Sequence, residues 1–299
     1  MTSTLVLPWL VVVLVVFAAG SAWRGLRYAR APMHLRWDLY PVAHEPAPRR
    51  EHGGSYLEEK EWWSKPRRKS LLGEAVFMAE EIVFLKGVWS NNRRLWWGSL
   101  PFHWGLYLLA VTTVGVFLGA AGWRWPLEAG LLTLGGVLGG GLLLLGSVVL
   151  LVLRSTDPKL RPYTAPVDRL NLLLLALLGA LCAGVAVRHG MGHVVAVLSG
   201  VVRGHEVRVG RLLAAQMAVG GLFLMYMPFT RMVHFFAKYF TYHDVRWDDE
   251  PMEPGSALAT RLERALHYGV DWSAEHVRTG RTWAEVATTL PGEKTGGDS

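Results

Sequence analysis

His103, in Leu100-Pro101-Phe102-His103-Trp104-Gly105, and His234, in Phe229-Thr230-Arg231-Met232-Val233-His234-Phe235-Phe236, sit in two different apolar stretches. An ionisable side chain at membrane depth is costly and marks a functional position. From His103 to Ala121 is 18 residues, roughly 27 Å at the helical rise. From His234 back to Leu212 is 22 residues, roughly 33 Å. Both imidazoles therefore fall towards the same membrane surface, on antiparallel segments. Two such rings can clamp a flat metal macrocycle, and in a helix bundle that is a b-type haem. The competing reading is a pair of polar side chains hydrogen-bonded between helices.

The neighbours of the pair add to this chemistry. Arg231 stands three residues before His234, on the same helix surface, and could meet a haem propionate or simply snorkel to the headgroups. Pro228 is expected to kink the segment just before His234. Gly105, Gly220 and Gly221 allow close approach of either a neighbouring helix or a porphyrin. The other nine histidines are weaker candidates. His34, His44, His52, His243, His267 and His276 lie in polar segments; His189, His193 and His205 lie in a loop on the other side. His189 and His193 are four apart, a generic metal-ligand spacing that leaves a ligand or quinone role open.

The elements that must hold these residues are membrane spans. The chain is 51% hydrophobic and 18% charged, with a mean hydropathy of +0.24. Five apolar stretches, over about 4–22, 99–121, 128–153, 168–187 and 211–236, are long enough to cross a bilayer as helices. The third is expected to contain an interfacial turn. Basic residues follow the first stretch (Arg24, Arg27, Arg30) rather than precede it, so an uncleaved anchor with its N-terminus outside is expected. The fold class is thus an all-α membrane protein, a five-helix bundle with a cytoplasmic C-terminus. Residues 1–239 form the membrane domain, with a cytoplasmic loop over 23–98, and 240–299 form a cytoplasmic tail. The expected location is the cytoplasmic membrane of a prokaryote, crossed several times.

The loop holds Met33–Pro41, Trp62-Trp63 and an amphipathic stretch around Ser70–Trp89, expected to lie along the inner membrane surface. The tail should contain a short helix over 256–268 and a disordered end at Gly292–Ser299. Loop and tail together read either as a docking platform for a soluble partner or as ordinary membrane-surface structure. The net charge of +7 clusters at membrane edges and mixes with acids, which speaks for lipid anchoring and against nucleic acid. Cys182 stands alone, so the chain cannot by itself build a disulfide framework, a four-cysteine iron–sulfur site or a zinc ribbon.

Five spans, a histidine opening the second and another closing the fifth resemble the gamma subunit of respiratory nitrate reductases. Met33–Pro41, Met227–Phe236 and Thr279–Thr288 are closer to a branch of that superfamily found in heterodisulfide-reductase-like and sulfate-reducer transmembrane complexes. The resemblance implies a membrane cytochrome b whose haem iron is held by His103 and His234. It implies electron exchange between a quinone pool (menaquinone or another quinone as substrate) and an iron–sulfur protein on the cytoplasmic face, in a complex whose membrane subunit is not active alone. The family's outer-haem ligands correspond to Thr113 and Gln216 here, neither a good haem ligand. One haem b is therefore expected, with a possible quinone pocket between Thr113 and Gln216. The alternatives are a true nitrate reductase gamma subunit with two haems, the second using His189, His193 or His205, and a haem-free anchor that recruits a soluble enzyme. A transporter gains nothing from a chain without carboxylates inside its spans.

Overall fold

Each long apolar run closes its own backbone hydrogen bonds as a helix, because a bilayer offers no other partners. The computed structural model describes residues 3–30, 59–66, 70–123, 128–242, 252–274 and 277–289. Met33–Pro41, Gly292–Ser299, His34, His44, His52, His243 and His276 lie outside the described residues. Among the described residues the chain is helical, without strands, and five helices are long and apolar enough to span a membrane. The chain divides into two compact units, Met1–Ala22 with Ala75–Val233, and Trp23–Glu74 with His234–Ser299.

In chain order the elements are α1 (Ser3–Ala29), α2 (Leu71–Val83), α3 (Lys86–Asn91), α4 (Arg93–Ala120), α5 (Glu128–Thr156), α6 (Pro166–His189), α7 (Met191–Val202), α8 (Arg211–Tyr226), α9 (His234–Phe240), α10 (Ala257–Leu266) and α11 (Trp283–Thr288). The spans are α1, α4, α5, α6 and α8 with its following turn. Four details differ from the sequence expectation. The third span is one unbroken helix. The amphipathic stretch is two helices, broken at Leu85, whose φ of 51° is left-handed. The fifth helix stops at Tyr226, giving way to short 3₁₀ turns over Met227–Phe229 and Arg231–Val233. The loop after α6 holds α7, which at 12 residues spans only about 18 Å and cannot cross.

In the first unit, α4, α5 and α6 touch backbone to backbone. A Cβ on Gly105 would lie 2.8 Å from the Gly139 carbonyl, and one on Gly146 would lie 2.6 Å from the Phe102 Cα. Across the other interface, a Cβ on Gly140 would lie 2.7 Å from the Gly179 carbonyl. Lipid tails are as apolar as leucine, so such close packing replaces the hydrophobic drive that holds soluble helices together. Val6, Val116, Leu132, Val185, Val194, Val197 and Leu213 fill one core at the end away from His103; Leu143, Leu175, Leu178 and Phe223 fill another nearer to it. The α7 helix belongs to the first core. Gly190, at φ 70°, turns the chain into it, and the Met191 N–H donates to Thr133 Oγ1 at 2.9 Å. On the other flank Trp9 Nε1 donates to the Met217 carbonyl at 3.1 Å, with Gly221 leaving room for its ring.

In the second unit, Ser256 caps α10 and Thr282 caps α11. Val270 and Val277 are buried between them, and Gly280 makes the turn at φ 89°.

Candidate functional site

His103 sits in the third turn of α4, whose start is capped by Asn92 Oδ1 accepting from the Leu95 N–H at 3.0 Å. The ring is half-buried, and Nδ1 lies 2.7 Å from the Ser99 carbonyl. A carbonyl only accepts, so this bond puts the ring proton on Nδ1 and the lone pair on Nε2. That is how a metal-binding imidazole is held, its second nitrogen tied to an acceptor that sets tautomer and ring angle. Phe102 and Tyr107 flank the ring, with centroids at 5.3 and 6.2 Å.

The same side of α4 grips α2. Trp96 Nε1 donates to the Phe84 carbonyl at 2.7 Å, Trp104 Nε1 to Val83 at 3.1 Å, and the Tyr107 hydroxyl to Ile82 at 3.0 Å. These three successive carbonyls close α2, where the helix has no internal donors left. Positions 96, 104 and 107 fall within about 80° on the helical wheel, so one α4 face supplies all three donors. The C-terminal end of the amphipathic helix is thus pinned to the second span beside His103. The aromatic spacing was the available signal; the acceptors were not visible in the sequence.

His234 opens α9 and is exposed. The expected kink at Pro228 is a full break. Pro228 is fully buried, and a Cβ on Gly20 would come within 2.9 Å of it. Thr230 is extended (φ −112°, ψ 178°); its hydroxyl donates to the Met227 carbonyl at 2.9 Å and accepts from the Met232 N–H at 3.1 Å. These local bonds replace the lost helical ladder, so 22 residues no longer measure a continuous rise to His234. Arg231 is exposed in the second turn. The unit boundary falls between Val233 and His234, leaving His103 and Arg231 in the first unit and His234 in the second. Within the second unit α9 meets the end of α1 through Phe240 and Tyr28, 6.1 Å between centroids.

Thr113 is exposed on α4 and donates to the Leu109 carbonyl at 2.7 Å. Gln216 is half-buried on α8; Nε2 donates to Cys182 Sγ at 3.3 Å, while Oε1 is buried without a hydrogen-bond partner. No hydrogen bond joins the two residues. Gly105 is filled by α5 and Gly221 by Trp9, and Gly220 is 3.5 Å from Leu178 Cδ1 once a Cβ is placed there, so all three serve helix packing. His189 and His193 are exposed and stacked, 5.2 Å apart at 27°.

Among the described residues, no cluster of three or more His, Cys, Asp or Glu could hold a bare metal ion. A macrocycle brings its own equatorial nitrogens and asks the chain only for axial ligands. The tethered His103 fits that requirement.

A family model described as the nitrate reductase gamma subunit matches residues 89–247, more than half of the chain and every candidate residue from His103 to His234. No match to the chain stands out among the curated proteins or the solved structures. The chain belongs to the nitrate reductase gamma subunit family, membrane electron-transfer subunits of oxidoreductase complexes.

Proposed function

We propose that this chain is a membrane cytochrome b that carries a single haem b between His103 and His234. It passes electrons between the quinone pool and an iron–sulfur, heterodisulfide-reductase-like partner on the cytoplasmic face. The observation that carries the reading is the bond from His103 Nδ1 to the Ser99 carbonyl, which aims the lone pair of Nε2 away from its own helix. When bound, the haem supplies one-electron redox chemistry. The chain's residues do the rest. His103 and His234 would hold the haem iron through their imidazole nitrogens, and Arg231 would pair with a haem carboxylate. The α2 clamp by Trp96, Trp104 and Tyr107 steadies the helix that bears His103.

Thr113 and Gln216 form the proposed quinone site. Thr113 lies on an exposed face of its span, from which a quinone can arrive through the lipid. Gln216 offers a buried acceptor, Oε1, to a quinol hydroxyl.

The test is the haem spectrum of the purified complex with His103→Ala or His234→Ala. Each variant is expected to lose the b-type bands while the chain still inserts in the membrane. A normal spectrum in either variant refutes the ligand assignment.

A further inference from the structure

The end of the first unit remote from His103 contains a cavity of about 350 Å³, lined by the end of α4, the start of α5 and one face of α7. Gly119 lies 16 residues beyond His103 on α4, roughly 24 Å along the helix. Its polar groups are Glu128, Ser199, Arg203 and His205; Gly119 and Val195 contribute to the apolar wall. Glu128 Oε1 is buried and accepts no hydrogen bond. It presses against Gly119, where a Cβ would collide with it and come within 3.1 Å of Val195 Cγ1, so glycine is needed for the carboxylate to sit inside. Arg203 and His205 are exposed at the rim, and neither forms a salt bridge among the described residues. Glu206 follows His205 in sequence but does not line the cavity.

A buried, unpaired carboxylate oxygen wants a donor, and a cationic one best. Exposed Arg203 and His205 at the mouth suit an anion. One side of the cavity thus asks for an ammonium and the other for a phosphate. It also lies where α4 ends and α5 begins, the level at which a spanning helix meets lipid headgroups.

We propose that this cavity binds the headgroup of a phospholipid bearing a primary ammonium, with the ammonium donating to Glu128 and the phosphate held by Arg203 and His205. The site is independent of the haem reading, and its roughly 24 Å separation from His103 suits a structural lipid rather than an electron donor.

Native mass spectrometry of the full chain, delipidated in detergent, tests it with phosphatidylethanolamine, phosphatidylcholine, phosphatidylglycerol and soluble phosphoethanolamine as probes. Phosphatidylethanolamine should be retained at least about ten-fold better than the other two lipids, as loss of one charge-assisted bond implies. Choline has no N–H to donate and glycerol no charge. Glu128→Gln should erase the preference, while Arg203→Gln, at the exposed rim, should weaken retention of all three lipids because each carries the phosphate; if the first does not purify, the second carries the test together with the three-lipid comparison. Equal retention of the three lipids, an unchanged preference in Glu128→Gln, or unchanged retention of all three in Arg203→Gln overturns the proposal. Binding of soluble phosphoethanolamine as tight as that of the lipid would assign the site to a free solute and overturn it too.

Discussion

Gln216 carries the most informative buried polar atom in the first unit. Its Oε1 has no partner and its Nε2 only a weak sulfur acceptor, Cys182. An unsatisfied buried acceptor costs about 1–3 kcal/mol, so an amide kept there without use is an odd choice when methionine would fit. Gln216→Met is expected to weaken binding of a quinol analogue that carries a hydroxyl donor by about ten-fold, the loss of one hydrogen bond, while leaving the haem spectrum intact. Titration of the purified complex with the analogue checks this. In the tail, Glu285 accepts from the Thr282 N–H at 2.7 Å and from its hydroxyl, bonds that hold its carboxyl below the usual carboxylate range. A depressed carboxylate stabilises the folded state above its unfolded pKa, about 4.3, and that stabilisation is lost as pH falls through the folded value. Hydrogen exchange over 279–289, corrected for intrinsic rates, should therefore rise as the solution is acidified below about pH 4. Glu285→Gln should remove that pH dependence.

At the scale of elements, two devices order the bundle around His103. Glycine contacts bring α4, α5 and α6 to backbone distance. Overpacking such a contact costs about 1–3 kcal/mol and often more. Three aromatic donors on α4 close the end of α2. Trp104→Phe keeps the ring but removes the bond to Val83, worth about 1 kcal/mol at a half-exposed position. Faster amide exchange over 80–86, with the spans unaffected, is the expected result. An equal increase across α4 itself would mean that Trp104 supports the span and not the clamp.

For the whole molecule, the decisive quantity is the number of haems. Thr113 carries a hydroxyl, bonded to its own helix, and Gln216 an amide, bonded to Cys182, and neither group is a good haem ligand. A pyridine haemochrome assay on the purified complex should therefore give one haem b per chain. Two per chain would bring His189, His193 or His205 into play as ligands. The docking reading of loop and tail belongs to the same scale, and co-purification of an iron–sulfur protein with the full chain is its check.

Much of this was legible in the residues themselves. A run of apolar side chains longer than the bilayer is thick has few options besides a spanning helix, so five spans follow from local chemistry, as does the first tail helix, α10; the second, α11, did not stand out in the sequence. His103 and His234 stood out because charge is costly in the apolar stretches that hold them; the structure keeps only His103 inside a spanning helix. The tertiary structure decided what depends on neighbours distant in the chain. It assigned Gly105, Gly220 and Gly221 to helix packing, because a glycine does not say what fills the space it leaves. It ended α8 at Tyr226, because Pro228 could bury itself beside Gly20 and Thr230 could satisfy the broken backbone. It added α7, too short to span but apolar enough to be buried against α4, α5 and α6. It tied His103 to Ser99, a backbone acceptor that any residue at that position would have supplied and that no side-chain pattern could reveal.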